Sequence, residues 1–438
     1  MPNQHRVVIL GGGFAGLNAA MKLKRAPVAI TLIDRRNFHL FQPLMYQVAT
    51  GSLSPGEIAA PLRGVLGRQR NVQVLLGEAA DIDPALKRVI LRDGAAFDYD
   101  SLIVATGSET SYYGNDSWRE WAPSLKTVEE ATAIRHKIFY AFERAERAGN
   151  ADEARAWLTF VIVGAGATGM EIAGALAEIA NETLRHDFRR INPRSARILL
   201  MEGGPRVLPA YPEDLSAKGQ KLVEKLGVEV LRNVLVTNID GDGVIFKHGD
   251  ALEKLAARTV VWAGGVTTNS FGKKLTDRTK AETDRSGRIK LNADLTIPNH
   301  PDIFVAGDLG LSLNKDGKPL PGVAQVAIQG GAYAAKAIRA RLAGKRKLPP
   351  FHYFDKGDIA VIGRASAVAN IFGVHVSGLP AWLIWLFVHL MYIVQFQNRV
   401  LVFIKWGFEY LTFSRGARLI TGDTATDGGG PGRGTPPS

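Results

Sequence analysis

The chain has 438 residues, 46% of them hydrophobic and 22% charged, so it is too long for one ordinary core and too apolar to be disordered. It contains no cysteine, which excludes disulfides, thiolate metal sites and thiol redox chemistry. Its formal net charge of +12 favours an anionic partner, which by charge alone is a nucleic acid, an anionic membrane surface or an acidic redox protein.

The amino terminus leads directly into an apolar strand. Only MPNQHR precedes VVIL, which leaves no room for the basic region, apolar run and cleavage site of a signal peptide. We therefore expect the catalytic part to face the cytoplasm or an equivalent compartment.

The segment RVVILGGGFAGL, residues 6–17, predicts a strand, a tight turn and a helix that bind a dinucleotide. Gly11 permits the turn, Gly13 lets the backbone approach a phosphate, and Gly16 allows close helix–strand packing. A second apolar strand ends at Asp34, 18 residues after Gly16, where a carboxylate can bind ribose hydroxyls. A glycine-rich turn without a ligand is the alternative, but the complete order of strand, glycines, helix, strand and acid favours a nucleotide site.

Two further apolar strands end in small residues. One ends at Ala105-Thr106-Gly107 and the other at Gly307-Asp308. Open α/β sheets bind ligands at the carboxyl ends of their strands, so we expect both ends at a ligand site. Asp308 as a simple helix cap is the alternative.

Residues 127–158 are rich in Glu, Ala and Arg and predict helix, with a break at Gly149-Asn150. The segment FVIVGAGATGMEIAG, residues 160–174, then repeats the glycine pattern with Gly164, Gly166 and Gly169. The next strand ends at Glu202, 33 residues after Gly169, because residues 182–195 lengthen the connection. A carboxylate there favours NADH, since the 2′-phosphate of NADPH would meet a like charge.

The carboxyl-terminal part is apolar and basic. Residues 379–394 supply 16 mostly apolar positions, fewer than the roughly 20 that a spanning helix needs. Residues 399–419 mix aromatic side chains with Arg399, Lys405, Arg415 and Arg418, which predicts a helix lying in a membrane interface with its cations toward anionic headgroups. A transmembrane anchor and a dimer interface are the alternatives. Residues 421–438 are rich in Gly, Pro and Thr and predict a disordered tail.

Two dinucleotide modules favour a tightly held flavin with an exchanging nicotinamide donor. With this arrangement, the order of HLFQPLMYQVATG, LIVATGS, VVWAGG, IFVAGD, GVAQVAIQGG and YFDKGDIAVIGR resembles the two-dinucleotide-binding flavoproteins and, among them, the type II NADH dehydrogenases. The resemblance covers residues 5–420. It implies FAD-dependent oxidation of NADH with two-electron transfer to a membrane quinone, ubiquinone or menaquinone, without proton pumping, within the respiratory chain.

The resemblance also implies roles for individual residues. FAD would be bound, tightly and non-covalently, by Gly11, Gly13, Phe14, Ala15, Gly16, Asp34, Arg35, Ala79, Thr106, Gly107, Gly307, Asp308, Ala324, Gln325 and Lys356. NADH would be bound by Gly164, Gly166, Thr168, Gly169, Glu171, Glu202, Gly264 and Gly265. The reaction would involve Glu171 near the flavin and nicotinamide, Gln325 and Gln329 between flavin and quinone, and Lys356 at the pyrimidine end of the flavin. The alternatives are a first-turn acid on the helix dipole for Glu171, a polar helix face for the glutamines and a surface charge for Lys356.

The predicted fold is α/β, with two Rossmann-like dinucleotide-binding domains and a carboxyl-terminal amphipathic helical segment that anchors the protein to the membrane. Residues 1–115 and 290–355 form a discontinuous FAD domain, residues 116–289 the NADH domain with its connecting helix, and residues 356–420 the membrane-binding region. We expect a peripheral protein on the cytoplasmic face of the inner membrane, a homodimer, with no metal and no nucleic-acid partner.

The missing cysteines exclude sulfide:quinone oxidoreductases and disulfide reductases, which work through cysteine pairs. No calcium-binding D-x-[DN]-x-[DN]-G loop is present. The remaining rivals are a soluble NAD(P)H-dependent ferredoxin or rubredoxin reductase and a redox-sensing flavoprotein that signals through a protein partner.

Overall fold

The computed structural model describes residues 4–345 and 348–421. Within these ranges the strands, numbered in chain order, are β1 His5–Leu10, β2 Val28–Asp34, β3 Phe38–Leu40, β4 Ala59–Pro61, β5 Val72–Leu76, β6 Ala79–Asp83, β7 Arg88–Leu91, β8 Ala96–Asp98, β9 Ser101–Val104, β10 Ser108–Thr110, β11 Thr159–Val163, β12 Arg197–Glu202, β13 Val228–Arg232, β14 Val234–Asp240, β15 Gly243–His248, β16 Ala251–Ala256, β17 Thr259–Trp262, β18 Val266–Thr268, β19 Ile289–Lys290, β20 Thr296–Ile297, β21 His300–Val305, β22 Gly310–Leu311, β23 Asp358–Gly363, β24 Ser366–Ile371 and β25 Val374–Gly378.

The α-helices over the same ranges are α1 Phe14–Lys22, α2 Met45–Ala49, α3 Pro55–Ile58, α4 Leu62–Leu66, α5 Val128–Glu146, α6 Ala151–Trp157, α7 Ala167–Glu178, α8 Glu213–Lys225, α9 Ser270–Thr279, α10 Ala324–Leu342, α11 Leu379–Tyr392 and α12 Phe396–Thr412. A π-helical turn, Ile179–Thr183, extends α7. This extension begins the long connection from Gly169 to Glu202.

The first sheet has the strand order β20-β21-β9-β1-β2-β5. All its pairs are parallel except the edge pair β20–β21. Its central strands are apolar on both faces because helices and loops cover both. The sheet combines strands from residues 5–104 with strands from residues 296–305, so two distant chain segments build one unit.

The second sheet is parallel, with the order β13-β12-β11-β17. Its two connecting helices begin at side-chain caps: the Thr127 hydroxyl accepts from the Glu130 N–H before α5, and the Asn150 carbonyl from the Glu153 N–H before α6. Helix α5 ends at Glu146 and α6 begins at Ala151, which confirms the predicted break.

Helix α9 lies within the predicted second unit, residues 116–289, but packs against the first unit. Phe271 and Leu275 of α9 are buried in the core beneath the first sheet. Arg278 also pairs with Asp81 of β6 at 2.5 Å. The chain therefore returns to the first unit about 20 residues before residue 290, because the apolar side of α9 is buried there.

The carboxyl-terminal part begins with an antiparallel sheet, β23-β24-β25, against which α7 and α11 pack. Helices α11 and α12 follow, and the largest core joins them to α2, α5 and α7 through buried Trp385, Val402 and Trp406. None of the described helices is long and apolar enough to cross a membrane. The predicted disordered tail falls, apart from Thr421, on residues 422–438, which lie outside the described residues.

The cations of the last segment do not point outward, as we predicted for binding to anionic headgroups. Lys405 pairs with Glu57 at 2.7 Å, Arg415 with Glu178 at 2.9 Å and Arg418 with Asp187 at 2.5 Å. The Arg399 Nε donates to the Ile393 carbonyl. These cations are turned toward the protein, because partly buried carboxylates and a carbonyl on the docking surface pair with them.

Candidate functional site

The first glycine turn has the geometry of a phosphate cradle. Gly11 has φ +98°, and a Cβ there would lie 2.3 Å from the Ala105 carbonyl oxygen. A Cβ on Gly16 would lie 1.8 Å from the Gly11 oxygen, so helix α1 can approach the strand only at a glycine. A Cβ on Gly13 would meet no protein atom within 4 Å, which leaves that side open to a ligand at the amino terminus of α1.

The second turn repeats this geometry. Gly164 has φ +102° and faces the Ala263 carbonyl, a Cβ on Gly169 would lie 1.9 Å from the Gly164 oxygen, and Gly166 is open. Two cradles of one design therefore stand at the amino termini of α1 and α7, and each fits a pyrophosphate.

An acid stands at the end of the second strand of each unit. Asp34 accepts the N–H groups of Gly12 and Arg36, and burial raises its pKa against the lowering effect of these bonds. Glu202 accepts the N–H of Ala165 at 2.8 Å and that of Gly204 at 2.8 Å. Each carboxylate is thus fixed beside its glycine turn, where an adenosine ribose would lie.

The strand end at Thr106 and Gly107 is held by a residue that the sequence analysis missed. The Asn269 amide donates to the Thr106 carbonyl at 3.2 Å, to its hydroxyl at 3.0 Å and to the Gly107 carbonyl at 2.8 Å. Its oxygen caps α9 by accepting from Gly272. An Asn before a predicted helix indicates the cap, but the contact across 163 residues has no local sequence pattern.

Asp308 has partners of its own. Its carboxylate accepts from the Ser108 hydroxyl at 2.9 Å and lies 3.5 Å from the Lys126 ammonium. Lys126 also donates to Ser108 at 3.1 Å. Asp308, which we predicted to bind FAD, is thus held by side chains from the segment that joins the two units.

Lys356 and Gln325 meet at Tyr392, which the sequence analysis also missed. The Lys356 ammonium donates to the Tyr392 hydroxyl at 2.9 Å, and Gln325 forms a second hydrogen bond with that hydroxyl. Burial raises the pKa of Tyr392, but the lowering effect of these two hydrogen bonds outweighs it, so that the pKa lies below its ordinary value. Tyr392 ends helix α11, and therefore connects the hairpin of α11 and α12 to two predicted site residues.

Gln329 lies one helical turn beyond Gln325, and both the nitrogen and the oxygen of its side-chain amide are hydrogen-bonded to Phe354. Its amide donates to the Phe354 carbonyl at 2.9 Å and accepts the Phe354 N–H at 2.9 Å. This pairing fixes the loop that carries Lys356. Gln329 therefore positions that loop, and its predicted place between flavin and quinone stays a prediction.

Glu171 lies in the second turn of α7, inside the protein. Burial raises its pKa well above the usual range, against the lowering effect of the Val361 backbone N–H. Tyr46 and Tyr211 are near enough to interact with its charge. Its surroundings therefore favour the protonated carboxyl more strongly than those of a solvated first-turn acid do.

The remaining predicted residues lie at helix starts, strand ends and turns of both units: Phe14 and Ala15 in α1, Arg35 after β2, Ala79 at the start of β6, Thr168 in α7, Gly264 and Gly265 after β17, Gly307 after β21, and Ala324 at the start of α10. Among the described residues no group of His, Asp or Glu has the arrangement of a metal site.

Two family models match the chain. The model for pyridine nucleotide-disulphide oxidoreductases matches residues 5–331, and the model for the NDH2 C-terminal domain matches residues 356–415. Together they span both glycine turns and the carboxyl-terminal hairpin.

Curated relatives match almost the whole chain. The type II NADH:quinone oxidoreductase Ndh of Mycobacterium tuberculosis is 45% identical over 97% of this chain and 92% of its own length. NdhA of the same organism is 44% identical over 95% of this chain and 90% of its own length. In fold, the chain is similar to NDH2 from Plasmodium falciparum, a structure solved with NADH, at a TM-score of 0.86, 20% identity and coverage of 94% of this chain and 99% of that one.

Proposed function

Because the chain belongs to the family of type II NADH:quinone oxidoreductases, we propose that its first glycine turn holds FAD and its second holds NADH. The enzyme oxidises NADH and reduces quinone, with FAD as its cofactor. The observation that carries the residue assignment is the pair of matching cradles, each with an acid at the end of its second strand. Bound FAD supplies the two-electron chemistry between NADH and quinone.

The residues of the chain bind and orient the two reactants. In the first unit Asp34 takes the adenosine ribose, Asp308 the ribityl chain, and Thr106 and Gly107, fixed by Asn269, lie against the flavin. In the second unit Glu202 takes the adenosine ribose of NADH, while Gly264 and Gly265 flank its nicotinamide end. We propose that residues 5–104 and 270–345 form the FAD unit and residues 159–262 the NADH unit, with residues 356–420 forming the membrane region.

At the quinone end, Lys356, Gln325 and Tyr392 form one hydrogen-bonded group. A cation there stabilises negative charge that develops on an adjacent ring, and the hydroxyl and amide give a quinone carbonyl two donors. Glu171 adds a carboxyl whose pKa burial raises well above its usual range. The chain therefore offers charge stabilisation and a carboxyl whose surroundings favour the protonated form.

The function is tested anaerobically by adding NADH and then a short-chain ubiquinone while the flavin absorbance is followed. We expect rapid bleaching and then rapid return of the oxidised spectrum. Bleaching that only an acidic iron–sulfur protein reverses would instead identify a ferredoxin or rubredoxin reductase. Slow bleaching with a long-lived NADH complex would identify a redox sensor.

The outer face of α11 and α12 supports attachment to a membrane, and we propose that this is the cytoplasmic face of the inner membrane. Exposed apolar side chains cover this face: Leu383, Phe387, Met391, Leu401, Phe403, Ile404, Phe408 and Leu411. A patch of this kind fits a lipid surface. Because the nearby cations are paired within the protein, we propose that the apolar face provides most of the binding energy and that the overall positive charge adds attraction to anionic lipid.

The double replacement of Phe403 and Leu411 by Asp is expected to weaken vesicle binding at least about 100-fold. Burial of each apolar side chain in lipid contributes roughly 1.5–3 kcal/mol to the binding free energy. Sedimentation with neutral and anionic vesicles measures this effect. Leu235→Asp, an equally exposed change on β14, is the control and should bind as the parent does. If parent and variant both bound anionic vesicles and neither bound neutral ones, charge and not the apolar face would provide most of the binding energy.

We also propose a homodimer. Exposed apolar side chains continue along α12, and a second copy can cover those that lipid does not. Light scattering in detergent, which replaces the lipid, should give twice the mass of the chain.

A further inference from the structure

A patch of unpaired positive charge lies on the first unit, outside the carboxyl-terminal segment. Residues 14–27 and 61–76 contain six cations and no aspartate or glutamate. All six side chains are exposed and form no ion pair or hydrogen bond with the described residues; this basic patch consists of Lys22, Lys24, Arg25, Arg63, Arg68 and Arg70. The patch thus differs from Lys405, Arg415 and Arg418, whose charges are paired within the protein.

Two inward-pointing amides join the two halves of the basic patch. The side chain of Gln69, which is 6% exposed, donates to the Ala20 carbonyl of α1 at 2.9 Å. Asn71 donates to two carbonyls just after α1, at 3.0 and 3.3 Å. Because Gln69 is anchored inward, the residues on either side of it, Arg68 and Arg70, remain exposed beside the cations at the end of α1. The six charges therefore form one surface.

Helix α4 places this surface beside the connection between α11 and α12. Leu62 of α4 is fully buried in the core of the first unit, and Val394, which lies between α11 and α12, packs against the same core. A Cβ on Gly64 would lie 3.6 Å from the side-chain nitrogen of Gln395. Arg63, between Leu62 and Gly64, is exposed at this contact. The basic patch therefore borders the tip of the carboxyl-terminal hairpin.

The tip of the hairpin is apolar and exposed. Phe396 begins α12 immediately after Gln395 and is 77% exposed, and the exposed apolar side chains of α12 continue from it. A cationic and an apolar surface thus meet at one edge. A bilayer matches both surfaces, because its acyl chains lie next to its anionic headgroups. A nucleic acid or an acidic protein would match the cations and leave the apolar side chains uncovered.

We propose that the basic patch binds anionic lipid headgroups beside the inserted hairpin. The inference rests on the proposed membrane attachment of α11 and α12, and it adds the surface that recognises the charge of the lipid. The apolar face of the hairpin enters the acyl layer, while the patch holds the neighbouring edge of the first unit against the headgroups. Two separate contacts fix the rotation of the protein on the membrane better than one contact does.

The test compares vesicle binding of the FAD-loaded, full-length parent with that of the Arg68→Gln, Arg70→Gln double variant by sedimentation. On vesicles of phosphatidylcholine mixed with phosphatidylglycerol, the variant should bind at least about 10-fold more weakly. Each basic side chain near an anionic surface contributes roughly a five-fold factor. On pure phosphatidylcholine the two proteins should bind equally. Added salt should lower the affinity of the parent for mixed vesicles toward that of the variant, because it screens these charges.

Two further variants separate the position of the charge from its amount. The Lys247→Gln, Lys254→Gln double variant removes the same charge from exposed positions on β15 and β16, and it should bind both kinds of vesicle as the parent does. The Arg68→Lys, Arg70→Lys double variant keeps the charge of the patch and should also bind as the parent does. Flavin content and thermal unfolding, measured on every variant, establish that each is folded.

The proposal is overturned if the Arg68→Gln, Arg70→Gln variant binds mixed vesicles as tightly as the parent does. It is also overturned if the Lys247→Gln, Lys254→Gln variant loses the same affinity, because the total charge and not the patch would then attract the lipid. Failure of the parent to bind either kind of vesicle would instead overturn the proposed membrane attachment.

Discussion

Replacing Gly174 with Ala is expected to destabilise the protein by at least about 3 kcal/mol, the upper end of the usual overpacking range. Gly174 lies on the buried side of α7, where the helix backbone rests on strand β23. A Cβ there would lie 1.6 Å from the Ile362 carbonyl oxygen and 2.7 Å from its carbon. Because the obstructing atoms are backbone in a paired strand, helix or strand must move.

The competing effect is small. Ala is favoured over Gly in a helix by about 0.8–1 kcal/mol, which is less than the cost of that overlap. The displacement also reaches the site, since α7 carries Glu171 on one side of Gly174 and Glu178 on the other. Glu178 holds Arg415 through a buried ion pair, so the segment after α12 should loosen together with α7.

Thermal unfolding of the FAD-loaded protein and limited proteolysis of the carboxyl-terminal hairpin measure both effects. Gly407→Ala is the matched control, because Gly407 is a helix-interior glycine of α12 whose Cβ would meet nothing within 4 Å. It should stabilise the protein by about 0.5–1 kcal/mol. If Gly174→Ala also stabilised, the close approach of α7 to β23 would be refuted.

The sequence was sufficient for the features that a local pattern encodes. Gly16 and Gly169 are glycines because a Cβ would strike the backbone of Gly11 and Gly164, which lie in the same strand–turn–helix unit. The break at Gly149-Asn150 follows from local propensity in the same way. Periodicity, turn chemistry and spacing report such contacts because both partners lie in one short stretch.

Contacts between distant segments could not be predicted. Asn269 meets Thr106 and Tyr392 meets Lys356 only because separate elements dock, and neither pair has a sequence spacing that indicates it. The predicted orientation of the carboxyl-terminal cations was wrong for a related reason. Lys405 and Arg415 have the composition of an interfacial helix, but the carboxylates of Glu57 and Glu178 on the docking surface determine where they point.

The acid at Glu202 should determine which nicotinamide nucleotide is used, and Glu202→Ala is expected to lower kcat/KM for NADH about 10–100-fold. A hydrogen bond that involves a charged group contributes about 1.5–3 kcal/mol, which corresponds to that range. The lost carboxylate also held the Ala165 and Gly204 N–H groups, each at 2.8 Å, so the ribose loses its acceptor while the turn loses support.

The same replacement should raise kcat/KM for NADPH. In the proposed site its 2′-phosphate would meet the Glu202 carboxylate of the parent, and removal of that charge leaves a cation, Arg232, at the register position opposite Glu202 on β13. The ratio of kcat/KM for NADPH to that for NADH should therefore rise by more than the NADH loss alone. Stopped-flow reduction of the flavin by each nucleotide measures it without involving quinone.

Glu229→Ala is the matched control for charge and location. Glu229 lies on the same strand as Arg232 but pairs with Arg197 at 2.8 Å, away from the glycine turn. Its removal should leave the nucleotide ratio unchanged. If Glu202→Ala lowered kcat/KM equally for NADH and NADPH, Glu202 would support only the turn. Selectivity for NADH would then have to come from the shape of the ribose pocket rather than from its charge.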